Sequence, residues 1–128
     1  WKCFVENSFE NPQIFYAIFT ENIGDSCENL FKKYYQLFPE ELDNIPKRYI
    51  PMLLESELSK RCSIHIKPCI EAGYFTTDLA EEVDERVRLI YHGMLSLMVN
   101  NRLEYNPKKA TEIFMRYTNS IVENKAML

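Results

Sequence analysis

Residues 78–101 read DLAEEVDERVRLIYHGMLSLMVNN, and this stretch decides the fold. Its first half, Asp78 to Arg88, is one-sided: Leu79, Val83 and Val87 share a stripe, and Glu81, Glu82, Asp84, Glu85, Arg86 and Arg88 surround it. The second half, Leu89 to Val99, has almost no polar face. A helix that is apolar all round is buried all round, and a domain of this size has little chain left to cover both sides. The expected cover is a second copy of the chain.

The punctuation on either side of this helix is equally readable. Gly73 suits the left-handed residue just past a helix end, and Asp78 with Glu81 forms an Asp version of the capping box. Downstream, Asn106-Pro107 is a capping Asn followed by Pro at the first helical position. It opens a last helix with Ala110, Ile113, Phe114, Tyr117 and Ile121 on one face and Met115 and Val122 on another.

The same Asn-Pro start at Asn11-Pro12 predicts a helix over 12–23, with Ile14, Phe15, Ile18 and Phe19 on its apolar face and an end near Gly24. Asp25 or Ser26 then caps a helix carrying Cys27, Leu30, Phe31, Tyr34 and Phe38, which Pro39 stops. Residues 40–50 read as a loop. From Pro51 to 72 a single helix of about five turns is expected, with Leu54, Leu58, Cys62, His65, Ile66 and Cys69 inward. Glu55, Glu57, Lys60, Arg61, Lys67 and Glu71 lie outside that stripe, and Pro68 predicts a kink between Ile64 and Pro68. No segment alternates like a strand, so the expected fold is an all-α antiparallel bundle of five or six helices in a single domain, 1–128.

Bulk composition excludes several classes. With 128 residues, 46% hydrophobic and 27% charged, the chain can bury a core without a staple. Three glycines argue against a turn-rich β architecture, and a net charge of −4 without a basic cluster is the wrong footprint for nucleic acid. No apolar run approaches the roughly 20 residues of a membrane span, and no signal-peptide pattern opens the chain. A cytoplasmic protein with no membrane partner is the expectation, its cysteines Cys3, Cys27, Cys62 and Cys69 reduced. Trp1-Lys2-Cys3-Phe4 opens without an initiator Met, which reads as a segment cut from a longer chain.

The order of elements resembles the C-terminal domain of the TetR (tetracycline-repressor) family of bacterial transcriptional regulators. The residues carrying the likeness are Ile70-Glu71-Ala72-Gly73-Tyr74-Phe75-Thr76-Thr77-Asp78, similar to the family's junction of helix, Gly, aromatic, polar and Asp before its eighth helix. Gly93 midway along that helix and the Asn106-Pro107 start of the next match as well. The resemblance implies a domain that binds a small effector and homodimerises through a four-helix bundle of the last two long helices. Operator DNA would then be read only by an N-terminal helix-turn-helix domain outside these residues, with Trp1 to Phe9 the end of a linking helix. On this basis the dimer interface is expected over 79–99 and 107–122, at Ile90, Gly93, Leu97, Ile113, Phe114, Tyr117 and Ile121. An effector acts by preferring one arrangement of the helices.

The effector site is expected between helices 12–38 and 51–72, closed by Tyr91 and Met94. Tyr16, Tyr34, Tyr35, Tyr49 and Tyr74 beside Phe15, Phe19, Phe31 and Phe38 supply flat apolar bodies with a few hydroxyl tips, the composition of a small-molecule pocket. The ligand-binding residues expected are Phe15, Phe19, Tyr34, Tyr49, His65, Tyr91 and Met94, with Tyr34, Tyr49, His65 and Tyr91 orienting the ligand. Because the inward stripe holds no Lys or Arg, a mainly apolar or aromatic ligand is expected.

Cys62, His65 and Cys69 share one helix face and carry ligand types suited to zinc or copper. One helix presenting three ligands is geometrically awkward, so packing is the reading, with no metal and no cofactor. Neither His65 nor His92 has a nucleophile and an acid beside it, and no phosphate loop or protease motif occurs, so no enzyme is expected. Two alternatives stand: a structural helical interaction module without ligand, and a thiol or metal sensor through Cys62, His65 and Cys69.

Overall fold

The computed structural model describes residues 1–21 and 30–126. Among these residues the regular structure is helical: α1 (Lys2–Glu10), α2 (Pro12–Phe19), α3 (Leu30–Leu37), α4 (Ile50–Leu54), α5 (Leu58–Glu71), α6 (Thr77–Val99) and α7 (Pro107–Ala126), with 3-10 turns at Pro39–Leu42 and Lys47–Tyr49. No strand occurs among them. None of these helices is long and apolar enough to cross a membrane.

The ends of the long helices follow from local chemistry. Gly73 adopts φ +80°, and Tyr74 N–H donates to the Cys69 carbonyl at 3.0 Å, closing α5 with a left-handed cap. Thr76, rather than Asp78, caps α6: its hydroxyl oxygen accepts from Leu79 N–H at 3.3 Å, which leaves Asp78 in the first turn beside the positive helix end. At the far end Asn101 takes φ 54°, and Asn100 Nδ2 donates to the Ser96 carbonyl at 2.7 Å.

The two Asn-Pro starts diverge. Asn106 Oδ1 accepts from Lys109 N–H at 2.8 Å and caps α7 as expected. Asn11 is also the C-cap of α1, and its side-chain amide is drawn back to the Asn7 carbonyl at 3.2 Å, so α2 has no side-chain cap. α2 stops at Phe19, short of the expected 23. Gly24, Asp25, Ser26 and Cys27 lie outside the described residues.

One helix was expected from 51 to 72, and there are two. Glu55 and Glu57 are extended, with ψ 121° and 120°. Glu57 N–H donates to Glu55 Oε1 at 3.1 Å, and Ser59 Oγ donates to Glu57 Oε1 at 2.9 Å. Short-range side-chain acceptors here outcompete the helical ladder. The apolar spacing carries across the gap and hides it, which raises the number of helices among the described residues to seven. α5 itself continues through Pro68 to Glu71.

α6 is the central element. It packs against α1, α2, α5 and α7, and α1 lies along α7. Val83, Val87, Tyr91, Met94 and Leu95 of α6 meet Val5 and Phe9 of α1, Leu58 and Cys62 of α5, and Ala110, Ile113 and Phe114 of α7. Each large apolar side chain in such a core contributes about 1.5–3 kcal/mol over leaving it in water. α1 is thus core structure, with Val5 and Phe9 inaccessible.

Among the described residues, chain covers only one side of the apolar half of α6. Tyr91, Met94 and Leu95 are buried, whereas Leu89 is 66% exposed, Leu97 is 44% exposed and Gly93 lies open between them. Those three residues follow each other at intervals of four and form one stripe. Tyr117 on α7 is also exposed.

Candidate functional site

Residues of α1, α4 and α5, with Trp1, line an open cavity of about 210 Å3 whose wall includes Phe4, Met52, Leu58, Arg61 and His65. Met52 of α4 and Leu58 of α5, on either side of the break at Glu55–Glu57, both line it. Trp1 fills the corner toward the core, edge-on to Phe4 at 5.6 Å and tilted against Phe114 at 5.4 Å. A second cavity of about 180 Å3 shares Trp1, Cys62 and His65 with the first and continues toward α6 and α7. There the buried hydroxyl Thr118 Oγ1 has no hydrogen-bond partner.

Arg61 was placed outside the inward stripe by its spacing, and the structure corrects this. Its guanidinium lies 5.9 Å from the Phe4 ring centroid, 5.4 Å from Phe19 and 5.5 Å from Phe31. The long side chain runs from α5 into a groove that Phe4, Phe15, Phe19 and Phe31 line on the other side. Burial lowers its pKa from 12.5. The site therefore does contain a cation.

The other expected ligand-binding residues divide. Phe15 and Phe19 are half-buried and line that groove, and His65 stands at the rim of both cavities. Burial holds the His65 imidazole below its ordinary value, which favours the neutral ring. Tyr34 instead lies on the surface, its hydroxyl within 2.8 and 2.9 Å of the two Glu41 carboxylate oxygens. Tyr49 is exposed, under the Arg48 guanidinium at 4.7 Å.

Tyr91 and Met94 are core residues, not a pocket wall. The Tyr91 hydroxyl donates to Ser8 Oγ at 3.0 Å, which in turn donates to the Phe4 carbonyl at 2.8 Å, and burial pushes the phenol up to about 12. Its hydroxyl proton is already committed inside the core.

Two expected interface residues are corrected as well. Ile113 and Phe114 are buried within the single chain, where α1 packs on α7. Ile90 and Ile121 are half-buried against the core, and Gly93, Leu97 and Tyr117 remain open. Leu89, inside the expected 79–99 span but not singled out there, is more exposed than Leu97.

The thiols differ in environment. Cys62 is buried, and burial, reinforced by the neighbouring Asp84 carboxylate, pushes its thiol far above the ordinary 9.0, which makes it a poor nucleophile. Cys69 is half-buried and Cys3 exposed. Among the described residues no three His, Cys, Asp or Glu side chains are grouped to hold a metal ion.

His92 has a structural role that sequence reasoning missed. Its Nδ1 lies 2.8 Å from Thr20 Oγ1, tying the end of α2 to the middle of α6 across 72 residues of sequence. No local signal announces such a pair. Comparison of the chain with family models, with curated proteins and with solved structures finds no significant match.

Proposed function

We propose that this chain is the effector-binding and homodimerisation domain of a TetR-like transcriptional regulator. In this reading a small, mainly apolar ligand enters the cavity at α5, two copies join along α6 and α7 in a four-helix bundle, and DNA is read by a separate N-terminal domain. The open stripe Leu89, Gly93 and Leu97 on α6 carries the reading. Gly inside a helix costs about 1 kcal/mol relative to Ala, yet beyond its own stretch of helix a Cβ at Gly93 would meet nothing within 4 Å. The missing side chain is useless to the monomer and useful where a second backbone crosses closely.

The effector half of the reading draws support from the two apolar cavities on either side of Trp1 and from the orphaned Thr118 hydroxyl. Cavities of this kind, with a few polar groups among apolar walls, are the usual form of small-molecule sites. The exposed apolar stripe is the usual form of an unfilled interface.

Sedimentation equilibrium of the chain and of Leu97→Glu tests the dimer. The unsubstituted chain should sediment as two copies at micromolar concentration, and Leu97→Glu as one copy with an unchanged far-UV spectrum. A purely structural module would still dimerise but show no ligand stabilisation in a thermal-shift screen of hydrophobic compounds. A monomeric parent chain would remove the central support.

A further inference from the structure

Among the described residues, Arg61 is the only permanently charged side chain on the wall of the 210 Å3 cavity. The three phenylalanine faces around it attract the cation but do not occupy its N–H donors as an oxygen acceptor would. No described carboxylate lies within ion-pair distance of it. Glu55 acts on it only from beyond that distance, and its Oε1 accepts from the Glu57 amide. A half-buried charge without a partner is costly. An anion arriving from outside would offset that cost.

We propose that Arg61 receives the carboxylate of an apolar monocarboxylic acid whose body fills the cavity, so that the ligand is a small aryl or medium-chain carboxylate. This deepens the effector reading above and rests on it. The planar guanidinium fork matches a carboxylate bidentately. A single cation balances a single charge, whereas a phosphate monoester carries about −1.5 to −2 at neutral pH. The size also fits. An apolar cavity of about 150 Å3 holds benzene, so one of about 210 Å3 takes a ring and a short linker.

The test uses matched probes on the whole chain: phenylacetate, 4-phenylbutyrate and octanoate, each against its neutral primary amide. Calorimetry and the fluorescence of Trp1, the single tryptophan and part of the cavity wall, read the binding. At least one acid should bind about tenfold or more tightly than its amide, and Arg61→Met should erase that preference. Should Arg61→Met not fold, the Arg61 Nε–Hε resonance of the unsubstituted chain decides: it should move with the acid and stay still with the amide. Amides binding as tightly as acids would overturn the carboxylate assignment and leave an apolar effector site standing. Failure of every acid and every amide to bind would overturn both.

Discussion

Two regions of this chain are built on opposite terms. Along α1, α6 and α7, the side chains of Val5, Phe9, Tyr91, Leu95 and Phe114 lose all or nearly all contact with solvent. From Leu30 to Leu54, no residue is buried, although the segment is rich in aromatics. Tyr91 and Tyr34 show the contrast in one residue type: Tyr91 donates to Ser8 from a closed core, Tyr34 to Glu41 from the surface. The first region carries the stability of the domain. The second is held by α3 packing on α4 and on the Pro39–Leu42 turn, by α4 packing on α5, and by Phe31 stacked on Phe19 at 6.0 Å. Arg61 and the cavity sit at the seam between them.

The largest effect expected from this contrast is in the core. Phe114→Ala removes a ring that touches Trp1 and Phe9 and should destabilise the chain by about 3–5 kcal/mol in urea titration. A loss below about 1 kcal/mol would mean that the α1–α7 contact is not where stability resides. Tyr91→Phe comes next, since it strands Ser8 Oγ without its donor in a closed site, at a cost of about 1–2 kcal/mol. An unchanged urea midpoint would show that the buried pair does not stabilise the core.

A third, smaller effect depends on pH. Burial lowers both His65 and His92 below the ordinary histidine value of 6.5. The unfolded chain therefore binds protons before the folded one, so stability is complete above 6.5 and declines as pH falls through it. Urea midpoints at about pH 7.5 and about pH 5.5 should show the decline, and His92→Gln should reduce it. A midpoint that rises on acidification would contradict the partial desolvation of these two imidazoles. The smallest effect is expected in the open region: Tyr34→Phe should leave the midpoint unchanged within error, since the Glu41 contact is fully solvated. A loss comparable to that of Tyr91→Phe would erase the distinction between the two regions.

The contrast also marks what could be read in advance. Helix punctuation by Gly73 and Asn106-Pro107 is local chemistry, and it was legible. The stripe Val83, Val87 and the face of Ala110 and Phe114 were legible too, because periodicity reports burial when a helix has one covered side. The break at Glu55–Glu57 was not, because apolar spacing continues through it while the side chains of Glu55 and Glu57 redirect the backbone. Tyr91 was mistaken for a pocket residue because its hydroxyl partner, Ser8, lies 83 positions away. Arg61 was read as outside the apolar stripe because spacing fixes where a side chain starts and not where three methylenes and a guanidinium end. Only the arrival of Phe4, Phe19 and Phe31 from other helices makes it part of the site.

Native-state hydrogen exchange tests the division of the chain most directly. Amides in the middle of α6 and α7 should exchange only through global unfolding, and their protection should fall together with added urea. Those of α3 and α4 should exchange through local openings of much lower free energy, with little urea dependence. Equal protection across Leu30–Leu54 and Val83–Leu95, with the same urea dependence, would contradict a stable core bearing a separately opening wall.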